Sequence, residues 1–231
     1  MRPRHVGIVA CSAEGASLCY RTICLEGAGL LGPHAHPEVS MHTPSLADYV
    51  RAIESDDWQA VAELMLGSAR KLAGAGADFL ICPDNTIHRA MAQVAPQSPL
   101  PWLHIADEVA AEASRRGFRR VGITGTKWLV DSDVYPEGLA ARGLEPVRPS
   151  LAERAECNRI IMDELVNGIF EASSTRYFQE VIAGLKDRGC DAVVLGCTEI
   201  PLIVDDRNSP LPTLDSTRLL ARAALRRAVE A

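Results

Sequence analysis

The stretch Gly189-Cys190-Asp191-Ala192-Val193-Val194-Leu195-Gly196-Cys197-Thr198-Glu199-Ile200-Pro201 decides the fold. Ala192 to Leu195 is aliphatic without interruption, as a parallel strand covered on both faces must be. The run ends in a Gly-Cys-Thr-Glu turn. In open parallel α/β sheets, ligands bind just past the carboxyl ends of strands, and Cys197 stands there. Gly196 removes a side chain where a ligand has to approach the backbone. Two readings of Cys197 are open at this point: a reactive thiol, or a buried structural cysteine in a turn.

The phrase has an earlier copy, Gly76-Ala77-Asp78-Phe79-Leu80-Ile81-Cys82-Pro83-Asp84-Asn85-Thr86-Ile87-His88. Aligned without gaps, Gly76 meets Gly189, Asp78 meets Asp191, and Asp84 meets Cys197. Each copy follows an amphipathic segment, Trp58 to Ala73 and Tyr177 to Arg188. Val6 to Ser12 likewise parallels Val121 to Lys127. A repeat on this scale predicts two similar α/β lobes, each a mainly parallel sheet flanked by helices. Facing each other, such lobes are expected to bring Asp84 and Cys197 to opposite sides of one cleft.

Bulk properties restrict the alternatives. The chain has 231 residues, 47% of them apolar and 23% charged, which is enough for two modest lobes. A net charge of −6 gives no electrostatic case for nucleic acid or an anionic membrane. No stretch approaches the ~20 apolar residues of a membrane span. Met1 to His5 leads directly into a strand and not into a signal-peptide apolar region. The seven cysteines, Cys11, Cys19, Cys24, Cys82, Cys157, Cys190 and Cys197, lack paired spacing. They are read as reduced thiols of a cytoplasmic protein. The six histidines include His34 and His36 but show no metal-ligand spacing, so no metal is expected.

Along the chain, Val6–Ala10 is expected as a strand, Ala16–Leu25 as a helix and Glu26–Pro37 as an irregular loop rich in Gly, Pro and His. Glu38–His42 reads as a strand. Ser45 is placed to cap a short helix, and Ser55 or Asp56 to cap the helix beginning at Trp58. The inward face of that helix is Val61, Leu64, Met65 and Leu72. The Pro-rich run Pro96 to Pro101 is taken as the lobe boundary. Residues 1–100 with 207–231 then form the N-terminal lobe, and 101–206 the C-terminal lobe. Trp102–Ile105 is read as opening the second lobe. A helix over Ser132–Arg142 is expected to be interrupted near Pro136. Ser150 and Glu153 form a capping-box pattern. Pro201–Pro212 is read as a loop, and Leu214 to Thr217 as the start of the closing helix.

The chemistry concentrates in the two repeated turns. Cys197 is a candidate nucleophile or base, since the thiolate is the reactive form. Thr198 and the backbone N–H groups of its turn can bind a carboxylate, and Asn85 and Thr86 supply matching donors in the first lobe. The same residues could equally serve as helix caps. Glu199 could complement a helix dipole or take part in catalysis. His88 could orient a neighbour, shuttle a proton, or be structural. Cys11 ends the first strand and is the second thiol of interest. Lys127 and Arg159 are candidates for a distal carboxylate.

Taken together, these residues resemble the aspartate/glutamate racemase family, which includes hydantoin racemases, maleate isomerases and arylmalonate decarboxylases. Gly196-Cys197-Thr198-Glu199-Ile200-Pro201 is similar to the second catalytic motif of that family. Asp84-Asn85-Thr86-Ile87-His88 is similar to the first, usually Cys-Asn-Thr-x-His. Gly125-Thr126, Asn158 to Ile161 with Glu164-Leu165, and Leu214 to Thr217 extend the match over nearly the whole chain. The resemblance implies a two-lobed α/β fold, catalysis without pyridoxal phosphate or metal, a small amino-acid or carboxylate substrate, and a homodimer. It also implies two cysteines flanking the substrate Cα, one removing a proton and the other returning one. Cys197 matches the second of these, and Asp84 stands in place of the first. Ser12, Asn85, Thr86, His88, Thr126, Thr198 and Glu199 form the expected substrate-binding set.

The first loop, Ala10 to Gly15, departs from the family's Gly-Met-Ser-x-Glu-Ser pattern, and Leu129 stands where Thr is common. The ordinary side-chain pKa is about 3.9 for Asp and about 8.5 for Cys, so a solvated Asp84 is the weaker base by about 6 kcal/mol of proton affinity. Burial could recover part of that deficit. Three functions follow for testing. The first is a racemase or epimerase of aspartate, glutamate or a similar carboxylate. The second is a decarboxylase, isomerase or lyase that uses Cys197 with a non-standard Asp84 partner. The third is a non-catalytic carboxylate-binding protein.

Overall fold

The computed structural model describes residues 2–230. The elements run β1 (Val6–Val9), α1 (Ala13–Leu31), β2 (Val39–His42), α2 (Leu46–Glu54), α3 (Trp58–Gly74), β3 (Phe79–Ile81), α4 (Met91–Val94) and β4 (Trp102–Leu103). They continue with α5 (Ile105–Arg115), β5 (Arg120–Thr124), α6 (Lys127–Val130), α7 (Val134–Ala140), β6 (Glu145–Val147), α8 (Leu151–Asp163), α9 (Ala172–Asp187), β7 (Ala192–Leu195), β8 (Thr213–Asp215) and α10 (Ser216–Val229). The strands form two four-stranded sheets, ordered β2-β1-β3-β4 and β6-β5-β7-β8, with every pairing parallel. The chain divides into two compact units. One takes the residues up to Ile105 together with those from Thr217 onward, and the other is Ala106–Ser216.

The repeat is reproduced down to single hydrogen bonds. Gly76 and Gly189 both adopt left-handed φ values, 89° and 85°, where the chain leaves a helix for a strand. Asp78 accepts the His5 N–H at 2.6 Å, and Asp191 accepts those of Arg119 and Arg120 at 2.8 and 3.2 Å. Ala77 N–H donates to Leu72 O as Cys190 N–H donates to Leu185 O, both at 3.1 Å. Leu80 N–H donates to Pro101 O at 2.9 Å, matching Val193 N–H to Pro212 O at 3.0 Å.

Burial explains how each sheet is covered. In the first unit, Val6, Ile8, Phe79 and Ile81 pack with Cys19 and Ile23 of α1 and with Leu220, Ala221, Ala224 and Leu225 of α10. The closing helix therefore belongs to the first unit. In the second unit, Val193 and Leu195 pack with Ile160 and Ile161 of α8 and with Phe178, Val181, Ile182 and Leu185 of α9. Each such buried side chain contributes roughly 1.5–3 kcal/mol. The capping box at Ser150 and Glu153 forms as read, with bonds of 2.6 and 3.3 Å.

Several expectations are corrected. Trp102 and Leu103 pair with Leu80 and Ile81, so β4 closes the first sheet and does not open the second lobe. Thr213–Asp215 is a strand paired with Val193–Leu195, so the second unit extends to Ser216. The Pro-rich run at 96–101 is a turn within the first unit. Helix α1 continues to Leu31 through residues expected to be loop. Gly27 is tolerated there because it packs against His36, whose Cα and Cβ would lie 2.9 and 2.8 Å from an added Cβ. Asp57, and not Ser55 or Asp56, caps α3, accepting the Ala60 N–H at 2.9 Å. Pro136 falls in the first turn of α7, where a missing N–H leaves no broken bond, so it interrupts nothing. Leu64 is only half-buried, whereas Val61, Met65 and Leu72 are fully inside.

Candidate active site

Strand order fixes where chemistry collects. In each sheet the connections leave the two central strands in opposite directions, creating a switch point at the carboxyl ends of β1 and β3, and of β5 and β7. Ala10, Cys11 and Ser12 follow β1, and Asp84, Asn85 and Thr86 follow β3 within five residues of its end. Gly125 and Thr126 follow β5, and Cys197, Thr198 and Glu199 follow β7. Each unit thus carries one polar cluster at its own switch point.

In the first unit, Asp84 is half-buried and its Oδ1 accepts the Ile87 N–H at 3.1 Å, capping the turn that follows. The Asp84 backbone carbonyl accepts from His88 Nδ1 at 2.6 Å. His88 Nε2 in turn accepts the Ile105 N–H at 3.3 Å. A backbone N–H can only donate, so His88 is the neutral Nδ1–H tautomer. Burial holds its pKa well below the ordinary range, and His104, packed edge-on at 4.6 Å, adds to the effect. His88 therefore braces the Asp84 turn from beneath, and both of its nitrogens are engaged within the fold. Asn85 and Thr86 are buried beside it. Ser12 is buried and caps α1, accepting the Gly15 N–H at 3.3 Å.

Sequence reasoning missed Tyr49 of α2, which is fully buried. Its phenol is pushed up by burial and then by nearby Cys82, Cys11 and Asp84, so it remains a neutral hydroxyl next to this cluster. No local signal marks it, because its role depends on where α2 docks. Cys82 is completely buried, and its thiol is driven up by that burial and by Asp84.

In the second unit, Gly196 is required by close approach. A Cβ there would lie 2.4 Å from Thr124 O and 2.7 Å from Leu129 Cδ2. This tight crossing, with the Gly196 N–H bonded to Thr124 O at 2.9 Å, sets the direction of the Cys197 turn. Cys197 is 8% exposed, and its Sγ donates to Glu199 Oε2 at 2.8 Å. Thr198 Oγ1 donates to the same oxygen at 3.1 Å. Glu199 is 2% exposed, and its Oε1 has no hydrogen-bond partner among the described residues. Thr126 is buried and caps α6, accepting the Leu129 N–H at 3.2 Å.

The structure thus gathers Ser12, Asp84, Asn85, Thr86 and His88 at one switch point, and Thr126, Cys197, Thr198 and Glu199 at the other. Lys127 and Arg159 lie outside both clusters. Lys127 is exposed, with Nζ 4.8 Å from the Trp128 ring centre. Arg159 is held by Glu156 at 2.8 Å and Glu164 at 3.0 Å. Among the described residues no three His, Cys, Asp or Glu side chains are grouped to hold a metal ion, and no helix is long and apolar enough to cross a membrane.

A family model described as Asp/Glu/Hydantoin racemase matches residues 8–224. A broad-specificity amino-acid racemase, RacX of Bacillus subtilis (strain 168), is 25% identical over 189 residues, covering 80% of this chain and 78% of its own. An aspartate racemase homologue from Pyrococcus horikoshii OT3 superposes with a TM-score of 0.81 at 27% identity, covering 98% of this chain and 100% of that one. A Yersinia pestis protein, assigned provisionally as an Asp/Glu racemase, superposes with a TM-score of 0.88 at 29% identity over 98% of this chain and 100% of that one. With the family model spanning nearly all of its length, the chain belongs to the Asp/Glu/hydantoin racemase family.

Proposed function

We propose that the chain is a cofactor-independent racemase or epimerase of aspartate, glutamate or a similar carboxylate, working by proton transfer at Cα. Cys197 and Asp84 are the acid/base pair. The observation that carries this reading is the Cys197 thiol, hydrogen-bonded to a buried carboxylate in the turn that follows β7. The repeat supports Asp84 as its counterpart. Each residue lies six positions past the aspartate that anchors its strand, Asp78 or Asp191.

In one direction the Asp84 carboxylate takes the Cα proton and the Cys197 thiol returns one to the other face of the carbanion. In the other direction Cys197, as thiolate, removes the proton and protonated Asp84 returns it. Backbone N–H groups and hydroxyls of the Asn85-Thr86 and Thr198 turns suit the substrate carboxylate. The seven cysteines are all thiols, which supports a cytoplasmic setting, and the family resemblance supports a homodimer.

Incubation with L- or D-aspartate and L- or D-glutamate, followed by chiral chromatography, tests the reading. The opposite enantiomer is expected with the wild type and not with Cys197→Ala. Its absence for all four substrates with folded protein overturns the reading for these acids.

A second reading draws on the Asp84 cap. Oδ1 already accepts the Ile87 N–H, which suits a fixed carboxylate that binds a substrate ammonium group while Cys197 alone moves protons in an isomerisation, decarboxylation or elimination. Asp84→Asn then leaves much of the activity, whereas Cys197→Ala abolishes it.

A further inference from the structure

We propose that the site prefers an amino acid with a neutral, hydrogen-bonding side chain over a diacid, and that the Tyr49 hydroxyl of α2 binds that side chain. This preference rests on the reading of Cys197 and Asp84 as the acid/base pair. Its basis is a buried hydroxyl that lacks a hydrogen bond, at a switch point whose polar cluster contains no lysine or arginine.

Tyr49 is fully buried on the inward face of α2, with Ala52 and Ile53. Its hydroxyl has no hydrogen-bond partner among the described residues. Ser68 lies near the phenol, but its own hydroxyl is engaged elsewhere. The Lys71 ammonium can only donate, and its Nζ is 2.9 Å from His42 Nε2. Burial and Lys71 lower the His42 pKa, so the ring is neutral at neutral pH. Nδ1 therefore carries the ring hydrogen and donates to Ser68 Oγ at 2.9 Å, while Ser68 donates to Leu64 O at 3.2 Å. A buried hydroxyl left unmet is unfavourable, and a bound ligand group relieves it. Burial, and then Cys82, Cys11 and Asp84, keep the phenol protonated, so it offers an O–H donor beside these groups.

Charge decides which ligand group that is. The two polar clusters contribute one carboxyl group each, Asp84 and Glu199, and no lysine or arginine. Among the described residues no lysine or arginine is buried. Lys127 is exposed, and Arg159 is held by Glu156 and Glu164. His88 is neutral with both nitrogens engaged. The substrate α-carboxylate has the N–H groups and hydroxyls of the turns. A second carboxylate placed at Tyr49 would meet a neutral phenol and have the Asp84 carboxyl group for a neighbour, with no cation to offset the repulsion. A carboxamide has nearly the same shape, carries no charge, and accepts the Tyr49 O–H through its oxygen.

Glutamine against glutamate, and asparagine against aspartate, isolates the charge at nearly constant shape. Calorimetric titration of the wild type with each, as either enantiomer, is expected to give a Kd at least about fivefold lower for the amide of each pair. Enantiomers have equal enthalpies, so turnover adds no net heat. A smaller difference, tighter binding of the acids, or no binding of either amide overturns the proposal. Amide-selective binding without inversion of any of the four counts instead against the racemase reading, which chiral chromatography of the same mixtures detects. Tyr49→Phe keeps the ring and is expected to weaken amide binding about fivefold without lowering Tm, because the hydroxyl it removes has no partner in the ligand-free fold. Unchanged amide affinity in that variant, or a fall in Tm that marks the hydroxyl as structural, overturns the role given to Tyr49.

Discussion

Asp84→Asn separates a structural carboxylate from a catalytic one at a single position. Asp84 Oδ1 accepts the Ile87 N–H at 3.1 Å, and an asparagine carbonyl oxygen can accept the same hydrogen. The His88 bond goes to the Asp84 backbone carbonyl, so it is unaffected by the change. The turn therefore survives, and stability is expected to change by no more than about 1 kcal/mol. For a protein of this size that shifts Tm by about 2–4 °C. The amide cannot take a proton from Cα, and loss of a positioned general base lowers rates by about 10²–10⁴.

Free enantiomers are equal in energy, so kcat/KM for L→D and D→L must fall by the same factor. The assay is chiral chromatography in both directions, paired with NMR in D₂O. The enantiomer whose Cα–H is served by Cys197 is still expected to exchange for deuterium, with retained configuration. A folded Asp84→Asn variant that keeps more than about a tenth of wild-type racemisation refutes Asp84 as a base and favours the one-thiol reading.

Other consequences follow from the same contacts. Gly196→Ala places a Cβ 2.4 Å from Thr124 O, and a loss of about 1–3 kcal/mol is expected in urea melts together with loss of Cys197 function. Asp78→Ala and Asp191→Ala remove equivalent strand anchors, so each is expected to destabilise by about 1–3 kcal/mol in denaturant titrations; an unequal result, one large and one near zero, would contradict the equivalence. His88 is neutral in the fold with its pKa well below 6.5. The unfolded chain binds that proton first, so stability is fully present above about pH 6.5 and falls on acidification below it, by up to about 1.4 kcal/mol per pH unit. Urea titrations from about pH 7.5 to about pH 5 measure this, and His88→Asn should flatten the slope.

The parts of the fold readable in sequence were those set by local apolar pattern. Ala192–Leu195 is a strand to the residue, because an uninterrupted aliphatic run bounded by glycines has few other uses. The misreadings arose where a local signal had a tertiary cause. Gly27 and Gly29 suggest a break, but Gly27 is small because His36 lies against it. The prolines at 96–101 mark a turn, and only the pairing of Trp102 with Leu80 shows which sheet follows. Thr213–Asp215 is three residues long and runs directly into α10, too short to show a period of its own. Around the two switch points, the motifs drew attention to Cys197, Asp84 and the polar residues beside each. They could not reveal the contact of Cys197 with Glu199 or the presence of Tyr49, since both depend on how a side chain is buried after folding.

The central claim is proton transfer at Cα by two different groups, and early-time deuterium distribution tests it most directly. L- and D-aspartate and L- and D-glutamate are each incubated with the wild type in D₂O and quenched at low conversion. Two-base chemistry predicts deuterium at Cα of the newly formed enantiomer, with little in the recovered substrate. Equal deuterium in both enantiomers, or deuterium in recovered substrate without any inversion, contradicts the account.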